Sequence, residues 1–256
     1  MALWLTIAAV LWGLWTLIAH AILRLSPRRD VLGGLAMIGL KIYARLVHRL
    51  RVTGREHIPK TRDPGRLIVV SNHTAGVDPL LVQSICPFEI TWTMAEDMRL
   101  PWAEPMWKWA GILFVDRRAG SHMAARAAMR RLEAGGVLGI FPEGKIERPH
   151  RHILPFLHGV GMLAKRMQAP VLPIIIEGAP DTETAWQSLW TPSRARIRVM
   201  PMIHYDRKLS PGDIAEDLRK RYLRWTGWPA SDEGPGAIQA EPDDQPAPRA
   251  AEDPAA

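Results

Sequence analysis

The sequence predicts an α/β fold, and three observations carry that expectation. Short apolar runs rich in β-branched residues recur at 67–70, 111–115, 137–141 and 171–176, and stretches of helical length separate them. Each of the first three runs ends on polar or turn-forming residues: Ser71-Asn72-His73, Asp116-Arg117-Arg118 and Pro142-Glu143-Gly144. Sheets built by such alternation gather their ligands at the loops beyond the carboxyl ends of their strands, where all three groups fall.

In chain order, Ala2 to Leu23 contains no Lys, Arg, Asp or Glu. As a helix this segment is about 33 Å long, close to the roughly 30 Å of a bilayer's hydrocarbon core. No Lys or Arg precedes it, as a cleaved signal peptide would require, and Arg24, Arg28 and Arg29 follow it. The positive-inside tendency then places the bulk of the chain on the cytoplasmic side. Trp4, Trp12 and Trp15 also suit a shallow or re-entrant helix. After Pro27 a second helix is expected over 31–50, with Lys41, Arg45, His48 and Arg49 along one side, the pattern of a basic amphipathic helix on an anionic bilayer. A surface helix of the soluble part is the other reading.

The segment 54–65 reads as loop, and a helix starts at Asp78-Pro79, an acid to take up free amides beside a proline suited to the first turn. Trp92, Met94, Trp102, Met106, Trp107 and Trp109 suit either the core or the entry to an acyl-chain site. A helix from Ser121 to Glu133, one near 159–168, a strand within 195–205 and a helix from Asp213 to Trp225 complete the core of the chain. The Pro-, Ala- and acid-rich remainder lacks the apolar content to fold. The expected organisation is a membrane anchor over 1–50, a catalytic domain over 51–228 and a disordered acidic tail over 229–256.

The net charge of +7 hides an asymmetry, because the tail from 229 carries seven acids against Arg249 alone. The rest of the chain therefore stands at +13. A body this basic points to an anionic partner, and the apolar N-terminus favours phospholipids over nucleic acid, for which no zinc-finger, RNP-like or basic-zipper pattern is present. Cys86 is the single cysteine, so no intrachain disulfide and no multi-cysteine zinc site can form.

His73 has a carboxylate, Asp78, five residues on, close enough to orient the ring as a general base. By itself the pair is weak evidence: with 26 acids in 256 residues, about one of the nine histidines would have an acid at that offset by chance. Three further blocks add to it: Gly111 through Phe114-Val115-Asp116-Arg117, Phe141-Pro142-Glu143-Gly144, and Val171-Leu172-Pro173. In this order, over about residues 65–205, the chain resembles the glycerolipid acyltransferases typified by bacterial 1-acylglycerol-3-phosphate acyltransferase.

That resemblance implies a central mixed β-sheet flanked by helices, with N-terminal membrane-associated helices. It makes His73 the base and Asp78 its orienting partner. The base would take a proton from an acceptor hydroxyl, which attacks the thioester of acyl-CoA or acyl carrier protein without a covalent acyl-enzyme. Asn72, Arg117, Glu143, Gly144, Lys145 and Arg148 become the substrate-binding candidates, with Arg117 on the acceptor phosphate. No cofactor or metal is implied beyond the thioester co-substrate. The implied partners are membrane phospholipids and a lysophospholipid acceptor, most simply lysophosphatidic acid, and the implied location is the cytoplasmic face of a bacterial inner membrane. Glycerol-3-phosphate and other lysolipids are the alternative acceptors. Where the family usually has a small hydroxyl residue and then arginine after the Glu-Gly pair, this chain has Lys145 and Ile146, and Arg148 or Arg151 is left to supply the phosphate contact. Leu157 likewise stands where a basic residue is common. Two rival readings are a metal-dependent hydrolase using His150, His152 and His158, and a membrane lipid-binding protein without catalysis.

Overall fold

A computed structural model describes residues 1–115 and 122–231. Arg117, the Ser121 helix cap and the tail beyond Ser231 lie outside the described residues. Seven strands, β1 (Arg51–Thr53), β2 (Leu67–Ser71), β3 (Ile90–Ala95), β4 (Leu113–Val115), β5 (Val137–Ile140), β6 (Val171–Glu177) and β7 (Arg196–Val199), form one sheet in the order β1-β7-β6-β2-β5-β3-β4. Neighbours are parallel except β6 and β7, so the sheet is mixed. The α-helices among the described residues are α1 (Ala2–Leu25), α2 (Val31–Leu46), α3 (Asp78–Ile85), α4 (Glu104–Ala110), α5 (His122–Glu133), α6 (His158–Met167) and α7 (Pro211–Thr226).

The two-residue period of the central strands divides the core. In β2, Leu67 and Val69 join the cluster containing Ala44, Leu81 and Val82, from the α2 and α3 side. Ile68 and Val70 join the opposite cluster with Leu132, Val160, Ile214 and Leu218, from α5, α6 and α7. β6 divides the same way, with Leu172, Ile174 and Ile176 on one face and Val171 and Ile175 on the other. A strand buried on both faces has no polar alternation to show, which is why these segments read as continuous apolar runs.

α1 has no buried residue and is long and apolar enough to cross a membrane. α2 packs against α1 and α3 through a face that includes Met37 and Ala44. It ends at Leu46, short of the expected 50, and His48 does not join a basic face. The His48 ring is fully buried, with Nδ1 2.9 Å from Ser193 Oγ and Nε2 2.9 Å from the Tyr43 hydroxyl, and burial lowers its pKa. Two hydroxyl partners and little water favour the neutral imidazole, so Lys41, Arg45 and Arg49 remain exposed of the four cations expected there, with Arg49 beyond the end of α2. Pro229–Ser231, expected as the start of the tail, instead pair with Ile153 through backbone bonds in both directions. The strand expected over 195–205 shortens to β7, with an isolated bridge at Ile203.

Candidate active site

The loop that follows β2 is positioned by side chains that take over from the backbone ladder. At the carboxyl end of β2 the Tyr222 hydroxyl, brought by α7, inserts between two strands. It accepts from the Ile174 N–H at 3.2 Å and donates to the Val70 carbonyl at 2.8 Å. Two residues on, the Asn72 side chain bridges to β6 again. Its Nδ2 donates to the Ile176 carbonyl at 2.9 Å, and its Oδ1 accepts from the Ile176 N–H at 2.8 Å. Asn72 is fully buried and both its polar atoms are committed, so it fixes the loop and has no atom turned to a substrate.

Asp78 does not cap its own helix. α3 begins at Asp78 with Val77 as N-cap and Pro79 in the first turn, which has no N–H to offer. The carboxylate turns back on the loop instead: Oδ2 accepts from the Thr74 N–H at 2.7 Å, the Ala75 N–H at 2.8 Å and His73 Nδ1 at 3.1 Å, while Oδ1 lies 3.2 Å from Thr74 Oγ1. Asp78 is wholly buried, whereas the His73 side chain keeps 18% of its surface open. Donation from Nδ1 to the carboxylate selects the tautomer whose Nε2 lone pair is free to take a proton. Gly76 lies in this turn against residue 185, where a Cβ would stand 2.4 Å from the Ala185 carbonyl oxygen, so the close approach requires glycine.

The loop after β5 holds His73 from the other side. Glu143 Oε1 accepts the His73 N–H at 3.2 Å, and the Glu147 N–H donates to the His73 carbonyl at 2.8 Å. The imidazole stacks on Phe141, centroids 4.0 Å apart at 17°, and Phe141 stacks in turn on Trp92 at 4.9 Å and 16°. Glu143 is fully buried, and burial, with the Glu147 charge adding to it, raises its pKa well above the usual range. Burial also lifts Glu147 to about 8. Burial thus favours the protonated form of each, in sites where each has an oxygen without a hydrogen-bond partner among the described residues.

The remaining sequence candidates take different places. Gly144 follows Glu143 in the left-handed region at φ 72°, and Lys145 is half-buried. Arg148 is turned to the protein, donating to the carbonyls of Glu147 and Thr182, both at 2.8 Å, which ties this loop to residue 182. The Arg151 backbone N–H donates to Glu147 Oε1 at 2.9 Å. The histidines of the rival metal reading separate: His150 pairs with Asp181, and His152 Nδ1 bonds the His150 carbonyl. No group of three His, Cys, Asp or Glu able to hold a metal occurs among the described residues. Sequence reasoning passed over Phe141 as the platform under the base and Glu147 as a buried acid beside it. Phe141 had a signal, because it directly follows β5, the strand paired with β2. Glu147 had none, since its backbone meets His73 only when the loops after β2 and β5 come together.

The family model named Acyltransferase matches residues 49–177, half of the chain, and spans both loops that hold His73. The chain belongs to the acyltransferase family. It is similar to the mouse (Mus musculus) 1-acyl-sn-glycerol-3-phosphate acyltransferase alpha, 29% identical over an alignment of 195 residues, and the match covers 72% of this chain and 66% of that protein. The chain thus spans just under two thirds of that relative. Its fold matches the crystal structure of the 1-acyl-sn-glycerophosphate (LPA) acyltransferase of Thermotoga maritima, with a TM-score of 0.60 at 21% identity, covering 78% of this chain and 83% of that one. The expected mixed sheet flanked by helices, with an apolar helix at the N-terminus, is the observed architecture.

Proposed function

We propose that this acyltransferase is membrane-bound and moves a fatty acyl group from a thioester, acyl-CoA or acyl carrier protein, to the hydroxyl of lysophosphatidic acid, giving phosphatidic acid. The observation that carries the proposal is the Asp78–His73 pair: a buried carboxylate, fixed by two backbone amides, presents a partly open imidazole at the end of a central strand. His73 Nε2 removes the acceptor's hydroxyl proton as the oxygen attacks the thioester carbonyl. Collapse of the tetrahedral adduct breaks the carbon–sulfur bond, and the leaving thiolate takes the proton back from the imidazolium. Asp78 stabilises that imidazolium across the 3.1 Å contact and keeps Nε2 directed outward.

Glu143 acts as a positioning residue through the His73 backbone, and Lys145 is the cation assigned to the acceptor phosphate together with Arg117. Lysophosphatidic acid is favoured because the mouse and Thermotoga proteins carry it, as 1-acylglycerol-3-phosphate, in their names. The apolar α1, with Arg24 in its last turn and Arg28 and Arg29 after it, supports a membrane location with the catalytic domain on the cytoplasmic face. Incubating purified protein with acyl-CoA, acyl carrier protein and a panel of lyso-acceptors, with products read by mass, tests donor and acceptor together. His73→Ala is expected to reduce transfer by about 10²–10⁴-fold while lipid binding is retained. An unchanged rate would remove His73 as the base, and acylation of a different lysolipid with none of lysophosphatidic acid would correct the acceptor.

A further inference from the structure

A cavity of about 320 Å³ lies away from the His73 loop, lined by Arg24, Lys41, Arg55 and Lys60 over an apolar floor that includes Ile58 and Ile85. It borders the carboxyl end of α3, whereas Asp78 opens the amino end, so an eight-residue helix of about 12 Å separates the two sites. No candidate catalytic or acceptor-binding residue lines it.

Four cations and no acid face this space. All four are exposed, and none forms an ion pair among the described residues. Their neighbours differ. Arg28 pairs with Glu89, Arg29 with Asp63 at 2.6 Å, and Arg62 donates to the Leu23 carbonyl at the end of α1. These three arginines are matched to partners within the protein, whereas the four cations of the cavity have no ion pair among the described residues. Like charges left unpaired around one hollow repel one another, and an anion bound among them relieves that cost.

The cavity's place relative to α1 indicates the anion's source. Arg24 and Leu25 are the last residues of α1, and both line it. With α1 in a bilayer, the cavity opens at the boundary between hydrocarbon and water, the depth of a phospholipid headgroup. Exposed Leu25, Ile42 and Leu46 continue an apolar surface along the α1 and α2 hairpin, against which acyl chains can lie. We infer that this cavity binds the phosphate of an anionic membrane phospholipid as a non-substrate ligand, fixing the catalytic domain against the bilayer. The inference rests on the reading of α1 as a membrane helix and is independent of the chemistry at His73.

The test uses the full chain in neutral-detergent micelles, with native mass spectrometry as the readout. Phosphatidylglycerol is the probe, phosphatidylcholine and inorganic phosphate are controls, and adenosine 3′,5′-bisphosphate stands for the nucleotide end of acyl-CoA. One phosphatidylglycerol retained per chain, with retention weakened about 25-fold in Lys41→Gln/Lys60→Gln and restored in Lys41→Arg/Lys60→Arg, supports the site; the scale is roughly fivefold for each charge removed. Equal retention by wild type and the Gln variant, or equal retention of phosphatidylcholine, overturns it. Retention of the bisphosphate but not the lipid, lost in the Gln variant, overturns the lipid assignment in favour of the donor's nucleotide. His73→Ala keeps the lipid in this assay, so loss of transfer and loss of lipid binding are separately visible.

Discussion

The two loops that hold His73 treat their buried carboxyls in opposite ways. In the 71–79 loop donors converge on Asp78: two backbone amides, the His73 ring and the Thr74 hydroxyl. In the 141–151 loop Glu143 and Glu147 each have an oxygen without a partner among the described residues, and burial drives both pKa values upward. Donors hold the Asp78 carboxylate from both of its oxygens, while burial among few donors favours the protonated forms of Glu143 and Glu147. The first loop can thus stabilise a positive imidazole, and the second grips the backbone beneath it through Glu143 and the Glu147 N–H.

The largest effect that would break this contrast is at Asp78. Asp78→Asn places an amide nitrogen or a weaker acceptor where two N–H groups converge, and transfer is expected to fall about 10²-fold or more. Combined with His73→Ala it should cost little further, because the two act as a unit; steady-state rates of the single and double variants check this. Asn72→Leu comes next. It leaves the Ile176 N–H and carbonyl unpaired in the core, at a cost of about 1–3 kcal/mol for each group. Denaturant unfolding should show that loss, with a rate decrease from a displaced His73. Gly76→Ala drives a Cβ toward the Ala185 carbonyl and should destabilise by about 1–3 kcal/mol, the scale of an overpacked site.

The smallest effect separates the second loop from the first. Glu147 is raised from 4.5 to about 8, so the folded protein holds a proton there that the unfolded chain has released. Its contribution to stability is present below about pH 4.5 and is lost as pH rises toward 8, levelling above that. Glu147→Gln, which is always neutral, should match wild type near pH 5 and exceed it near pH 8 by about 5 °C in thermal midpoint, for a difference of roughly 2 kcal/mol. Equal midpoints at both pH values would mean that Glu147 is ionised in the fold.

Much of this site is already visible in the residue order. His73 and Asp78 are five apart on one turn, and the pair needs no distant contact to form. The two blocks that support it, at Phe141-Pro142-Glu143-Gly144 and Val171-Leu172-Pro173, are legible because their strands are short, apolar and bounded by turn residues. The roles inside those blocks were less legible. Asn72 looks like a ligand in the sequence, yet its amide is spent on Ile176, 104 residues away. Arg148 looks like a free cation and instead joins the Glu147 and Thr182 carbonyls. His48 looks like part of a basic helix face and is buried between Tyr43 and Ser193.

Local order alone settled the α/β alternation, the apolar first helix and the His73–Asp78 pair, because strand period, helix length and a five-residue turn are all short-range properties. The tertiary structure decided which polar side chains face a substrate and which are used up within the fold. Hydrogen-bond capacity is finite, and only the meeting of β2, β5, β6 and α7 determines where each donor and acceptor is spent. Likewise, the packing of α1, α2 and the 55–60 segment gathered four cations around one cavity at the end of α1, drawn from three separate stretches of the chain.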